Sequence, residues 1–172
     1  MKNKSKYDVG DAIVVALGSN LRGDHASCRD LLEAATGQLP ERGVSILDRS
    51  GWWRSAAWPR ATDPDYLNGV ALVETALEPR ALLAALLTLE QAFGRRRGDP
   101  NSPRPLDLDL IAYGRVVVTD DELILPHPRA AQRRFVMGPL AQIAPDWVHP
   151  VSGKTAASLA TDATVGRDAE PI

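Results

Sequence analysis

The chain is short of cysteine, histidine and lysine, and each shortage closes off a class of function. A single cysteine, Cys28, leaves no intrachain disulfide. The three histidines, His25, His127 and His149, are scattered and show no zinc-ligand spacing. No apolar run approaches the ~20 residues of a membrane-spanning helix. The basic opening MKNKSKYDVGD is not followed by the apolar stretch of a secretory signal, so a cytoplasmic location is expected, with no membrane partner. An excess of positive charge is also missing. Twenty basic against 22 acidic residues give a net charge of −2, which excludes a global field for nucleic acid. Neither G-x-x-x-x-G-K-[ST] nor G-x-G-x-x-G occurs. A triphosphate site here would have to be built from side chains and metal.

What is present is an ordinary globular composition, 44% hydrophobic and 24% charged over 172 residues, enough for one domain. The cations are unusual in kind: 16 of the 20 are arginine, the planar fork suited to phosphate, and three of the four lysines fall in the first six residues. Residues 1–11 read as a flexible leader, 12–160 as a single domain and 161–172 as a disordered tail.

Ala12–Leu17 is a continuous apolar run, expected to be a strand buried on both faces, and Gly18-Ser19-Asn20 breaks it. A helix is predicted from an N-cap at Asp24, with Cys28, Leu31, Leu32, Ala35 and Leu39 on one face. Val44–Arg54 is predicted as one strand and Tyr66–Leu77 as another. Pro79 opens a helix whose stripe is Leu82, Leu86, Leu89 and Phe93. After the Gly/Pro/Arg loop 94–105 comes a strand at Leu106–Tyr113. Val116–Val118 is expected to pair back on it across Gly114-Arg115. A short helix over Phe135–Ile143 is expected to be interrupted near Pro139. The order strand, helix, strand, strand, helix, strand is that of an α+β, ferredoxin-like fold: a mainly antiparallel sheet packed between helices in three α-β-α layers.

The most informative stretch is Leu106-Asp107-Leu108-Asp109-Leu110. In a strand the two aspartates share one face, with Cα atoms ~6.6 Å apart, while the three leucines point into the core. Like charges side by side on a strand repel unless a cation lies between them. Two carboxylates with open positions suit Mg²⁺, particularly when phosphate oxygens complete the shell. Two solvated surface aspartates are the plain alternative. Against it, Arg95, Arg96, Arg97 and Arg104 precede the strand and Arg129, Arg133 and Arg134 follow it. Carboxylates and arginines together fit a nucleoside triphosphate better than bare nucleic acid. Tyr66 and Asn68 share a strand face that could stack on and bond a flat heterocycle, although on the residues alone core packing is the better account of Tyr66. Glu90 lies on the apolar side of its helix and needs a partner, for which the following arginines are candidates.

Taken together, these motifs resemble the 6-hydroxymethyl-7,8-dihydropterin pyrophosphokinase family of folate biosynthesis. The resemblance rests on ALGSNL at 16–21, DYLN at 65–68, Glu90, Gly94, Arg95 and Arg97 as E-x-x-x-G-R-x-R, P-R-x-L-D-L-D at 103–109, LPHP at 125–128 and R-x-F at 133–135. It implies transfer of pyrophosphate from ATP to the pterin hydroxymethyl group, giving AMP and the pterin diphosphate. It assigns two Mg²⁺ ions to Asp107 and Asp109, and catalytic roles to Arg95, Arg104 and both aspartates. It further implies ATP contacts from Arg97, Leu110, His127 and Arg133, and a pterin site of Tyr66, Asn68 and Phe135. Ser55, Ala56 and Trp58 would lend backbone partners to the pterin, with Glu90 in support and the enzyme a monomer.

The chain departs from the family pattern before the LDLD stretch. Pro100-Asn101-Ser102-Pro103-Arg104 lacks the usual Gly, the preceding cation and a common Trp, Ser55-Ala56 replaces Thr-Pro, and Glu122 stands where a base is frequent. The loop 94–105 is expected to act as a lid that closes over both substrates. A ferredoxin-like RNA-binding module or a catalytically impaired pterin-binding relative is the alternative. The aspartates on the strand where RNA-stacking rings belong argue against the first, and retention of the charged candidates argues against the second.

Overall fold

The computed structural model describes residues 8–96, 98 and 102–172. Eight strands and four α-helices occur among them: β1 (Ile13–Ser19), α1 (Cys28–Gly37), β2 (Val44–Arg49), β3 (Trp53–Ser55), β4 (Tyr66–Thr75), α2 (Pro79–Ala92), β5 (Asp107–Tyr113), β6 (Val118–Thr119), β7 (Ile124–Leu125), α3 (Arg134–Ile143), α4 (Ala156–Asp162) and β8 (Glu170–Pro171). The main sheet runs β5-β1-β4-β3-β8, and β2 pairs with β4 beside β3. All of its pairings are antiparallel. This is the expected ferredoxin-like α+β order.

Both faces of the sheet are covered. Strand alternation sends Ile13, Val15 and Leu17 to a core shared with Leu31, Leu32, Leu82, Leu86 and Leu89 of α1 and α2. Val14 and Ala16 meet Val136, Met137, Leu140 and Leu159 of α3 and α4 on the other side. All seven residues of β1 are therefore buried, and the uninterrupted apolar run is explained. The register of β5 shifts between Val14 and Val15, so Ile111 joins the α3/α4 side with Ala112.

Several expectations are corrected. The first helix begins after Ser27, not Asp24, because the Ser27 hydroxyl accepts the Asp30 N–H (3.1 Å). The single strand over Val44–Arg54 is two strands. Ser50 breaks it by turning its hydroxyl to the Val70 N–H (2.9 Å), which lets β2 and β3 pair with successive parts of β4. Val116 and Val117 are exposed rather than paired. The Asp120 carboxylate accepts the N–H groups of Glu122 (2.9 Å) and Leu123 (2.8 Å), and that turn joins β6 to β7 instead. Helix α3 runs through Pro139, whose missing N–H costs one bond near the helix start.

The tail is also corrected. Residues 161–172 are packed rather than disordered: Ala163 and Ala169 are buried, and Glu170 pairs with Arg54. Backbone bonds hold it, from Thr164 and Val165 to the Gln132 carbonyl, from Arg134 to the Val165 carbonyl and from Ile172 to the Trp52 carbonyl. Small residues make that close approach possible, and their low hydropathy hid it. Of the leader, residues 8–11 form a capped 3-10 turn, and 1–7 lie outside the described residues.

Candidate active site

The two halves of the predicted site meet at one end of the sheet, on its α3 face. Gly18 is the hinge of the arrangement: in register it lies opposite Asn68 on β4 and opposite Asp107 on β5. Two residue pairs further along, Ala16 lies opposite Asp109. Strand alternation puts Tyr66 on the Asn68 face and both aspartates on theirs. A Cβ at Gly18 would stand 3.7 Å from Asn68 Oδ1 and 3.8 Å from the Asp107 Cβ. The glycine thus leaves an open floor between the amide and the carboxylates.

Arginines enclose the aspartates. Arg95 Nη1 reaches Asp107 Oδ1 at 2.8 Å and Glu90 Oε1 at 2.6 Å, and Arg104 Nη1 approaches Asp107 Oδ1 at 3.7 Å. Glu90 is 2% exposed and also accepts the Leu108 N–H at 2.7 Å. One buried carboxylate therefore fixes both the β5 backbone between the aspartates and the arginine in front of them. Burial pushes the Glu90 pKa up to about 7, against the pull of Leu108 and Arg95. The pair is asymmetric: Asp107 and Glu90 hold the more exposed Arg95 protonated, while desolvation dominates at Glu90.

Asp109 is pushed up to about 6, first by burial and then by the Asp107 charge, with Arg133, Arg95 and Arg104 opposing. A cation would relieve that repulsion. No cluster of three metal-binding side chains occurs among the described residues. The two carboxylates could hold a hard divalent cation such as Mg²⁺ whose other positions are taken by water or phosphate oxygens.

His127 is pushed down to about 4, first by burial and then by Arg133 and Arg129. Its Nδ1 accepts the Arg129 N–H at 3.2 Å, so the neutral ring carries its proton on Nε2, available to an anion. A cleft of about 260 Å³ opens at the outer edge of β5, where Leu83, Leu110, Leu123, Ile124 and Pro128 surround Asp109 and His127.

The structure brings together Asp107, Asp109, Arg95, Arg104, Arg133, His127 and Glu90. Tyr66 stands by Arg104, and burial raises its pKa against that cation. Asn68 donates to Ser55 Oγ at 2.9 Å, and Arg133 lies over the Phe135 ring at 5.6 Å. Trp58 is 77% exposed. Arg134 turns away from the aspartates to the Ala160 and Ala169 carbonyls, and Arg96 is exposed. Arg97 lies outside the described residues, as do three residues of the expected lid at 99–101.

In the sequence, Asn20 shows only as the end of the Gly18-Ser19-Asn20 break and as part of ALGSNL. It is a buried clamp. Its Oδ1 accepts the Arg104 N–H (2.8 Å) and its Nδ2 donates to the Pro64 carbonyl (3.1 Å). The signal was a carboxamide placed directly after a buried strand.

Comparison with known proteins agrees with this geometry. The profile of the 7,8-dihydro-6-hydroxymethylpterin-pyrophosphokinase (HPPK) family matches residues 14–145. The chain belongs to this family. It is 44% identical over 147 residues to the 2-amino-4-hydroxy-6-hydroxymethyldihydropteridine pyrophosphokinase of Synechocystis, covering 85% of this chain and 73% of that one. The enzyme of the same name from Methylorubrum extorquens is 37% identical over 142 residues, covering 82% and 86%. Among solved structures, a Plasmodium falciparum HPPK-DHPS superposes with a TM-score of 0.71 at 12% identity, covering 99% of this chain and 48% of that one. An HPPK-DHPS in complex with substrates gives a TM-score of 0.68 at 13% identity, covering 87% and 42%. The chain thus spans under half of those HPPK-DHPS chains, whose likeness speaks to the fold alone. No helix among the described residues is long and apolar enough to cross a membrane. The family and these relatives are named for pyrophosphokinase activity.

Proposed function

We propose that this HPPK-family chain moves the β,γ-pyrophosphoryl group of ATP onto the hydroxymethyl oxygen of 6-hydroxymethyl-7,8-dihydropterin at the end of the sheet bearing Gly18. The oxygen–phosphorus bond forms at the β-phosphorus, the α,β-bridging bond breaks, AMP leaves and the hydroxyl proton passes to solvent. The observation that carries this reading is the register of Gly18, which places Asn68 on one side and the Asp107/Asp109 face on the other.

Asp107 and Asp109 would hold two Mg²⁺ ions, which when bound supply neutralisation of the triphosphate charge. Arg95 and Arg104 face the same phosphates, Arg133 and the Nε2–H of His127 the outer ones, and the β5-edge cleft takes the nucleobase beside Leu110. The role that the family resemblance gives Arg97 on ATP falls outside the described residues. Tyr66 and Phe135 enclose the pterin ring, Asn68 bonds its edge, and the 55–58 backbone supports it. Among the described residues no side chain is poised as a dedicated base, so positioning and charge neutralisation carry the rate. The domain, with its packed segment 161–172, acts as a cytoplasmic monomer.

The test is product analysis with ATP, Mg²⁺ and the hydroxymethyl pterin. AMP and pterin diphosphate should form one for one. ADP in place of AMP would overturn pyrophosphoryl transfer.

A further inference from the structure

The last ten residues touch both walls of the proposed pterin site. Gly166, at φ +65°, lies so close to the Phe135 ring that a Cβ there would stand 2.4 Å from Phe135 Cδ1. No L side chain fits that conformation and that distance without moving the ring. Two residues on, Asp168 Oδ2 accepts the backbone N–H of Ala56 at 2.6 Å. Ala56 belongs to the loop that follows β3, and Phe135 to the first turn of α3. These elements are far apart in sequence, and the segment 164–171 spans them.

The segment is itself anchored at three points. Thr164 and Val165 bond the Gln132 carbonyl, the Arg134 side chain bonds the Ala169 carbonyl (3.1 Å), and Glu170 pairs with Arg54 both in the sheet and as an ion pair at 2.7 Å. Arg134 also bonds Ala160 in α4 (3.2 Å), which explains why this arginine is not turned to the phosphates. An anchored segment can transmit position. A frayed one cannot.

We infer that the C-terminal segment 164–171 is a positioning element of the pterin site, with Gly166 setting the place of the Phe135 ring and Asp168 that of the Ala56 backbone. Its anionic end takes the Ala56 N–H, so the support this loop gives a pterin comes from its other backbone groups. Val165 pairs with Arg133, one of the phosphate-facing arginines, whereas Asp168 acts through Ala56 alone. The effect of Asp168 should therefore fall on pterin binding and spare ATP.

This inference rests on the proposed function, and the experiment separates the two. Steady-state AMP formation is measured for the wild type, Asp168→Ala, Asp168→Asn and Gly166→Ala, varying each substrate in turn. Asp168 is exposed, so its variants should fold, which a thermal melt of each checks. Asp168→Ala should raise the pterin KM about five-fold, the effect of losing one charge-assisted hydrogen bond, with the ATP KM unchanged. Asp168→Asn, which keeps an acceptor oxygen, should recover most of it. Gly166→Ala should raise the pterin KM as well. Wild-type pterin KM in Asp168→Ala, or an equal rise in both KM values, would overturn the positioning role. Absence of AMP with the wild-type enzyme would instead overturn the proposed function.

Discussion

Asn20 and Arg104 hold one another by their backbones and by one side chain. The Arg104 N–H donates to Asn20 Oδ1 at 2.8 Å, and the Asn20 N–H donates to the Arg104 carbonyl at 3.2 Å. The same carboxamide reaches Pro64, one residue before the DYLN stretch that leads into Tyr66. Asn20 thus ties the strand end under the site to the loop bearing a phosphate-facing arginine and to the loop entering the pterin wall.

That closed ring makes Asn20 sensitive to small changes. Asn20→Asp keeps the acceptor and loses the donor to Pro64; Asn20→Ala loses both. We expect a loss of about 2 kcal/mol for Ala and at least as much for Asp, whose buried carboxylate would face the Pro64 carbonyl. The Ala variant should also lower kcat at least ~10-fold, because Arg104 is no longer held in place. Urea unfolding and AMP formation read the two effects. Wild-type kcat in Asn20→Ala would show that Arg104 does not depend on the clamp.

The aspartate pair allows a sharper separation of fold from chemistry. Asp107→Ala and Asp109→Ala each remove a candidate magnesium donor and relieve like-charge repulsion at the same time. The Asp109 side should therefore fold at least as well as the wild type, because its charge is disfavoured by burial and by Asp107. Activity should be abolished in both, and a chelator should abolish it in the wild type. An undiminished rate in either variant would remove that residue from the metal site.

How much of this was legible depended on whether the signal was local. The Asp107–Asp109 face followed from the period of a strand and needed no partner to be read. Glu90 was recognisable as a carboxylate on an apolar helix face, and its partner Arg95 was among the arginines nearest in sequence. The failures were long-range. Ser50 breaks a strand by bonding Val70, a residue twenty positions away. The tail is made of small and polar residues, and it is ordered by carbonyls at Gln132 and Trp52 that nothing in its own composition announces. Asn20 was visible as a residue, but its role required knowing that the Pro64 and Arg104 loops converge on it. Backbone partners supplied from elsewhere are the part of a fold that periodicity does not encode.

His127 is expected to contribute to stability in a direction opposite to that of a paired histidine. Its folded pKa, about 4, lies below the ordinary 6.5 because burial and the neighbouring arginines disfavour the imidazolium. Between those values the unfolded chain binds a proton that the folded one refuses. Stability is therefore lost as pH falls from 6.5 towards 4. Unfolding of the wild type and of His127→Gln across this range should show the wild type losing ground at the acid end. A constant difference would mean that His127 is not shielded.

Glu90 should show the reverse slope. Its folded pKa, about 7, lies above the ordinary 4.5, so the folded chain keeps a proton that the unfolded one releases. The stability from the neutral form is complete below about pH 4.5 and is lost as pH rises to about 7, after which the difference levels off. Gln at this position is neutral throughout and its Oε1 can still accept the Leu108 N–H. The wild type should therefore lose about 3 kcal/mol relative to Glu90→Gln between the two ends of that window, each pKa unit being worth ~1.4 kcal/mol. Guanidinium unfolding of both proteins at pH 4.5, 6 and 8 (~0.1 M salt throughout) reads the difference directly, and the titrations of Asp109 and His127 largely cancel in it. Activity should move the other way. Glu90→Gln keeps the Oε1 that accepts both Leu108 and Arg95 but removes its charge, which weakens the hold on Arg95, so kcat should fall even at pH 8, where the variant's stability relative to the wild type is highest. A variant both more stable and equally active would show that Arg95 is positioned by Asp107 alone.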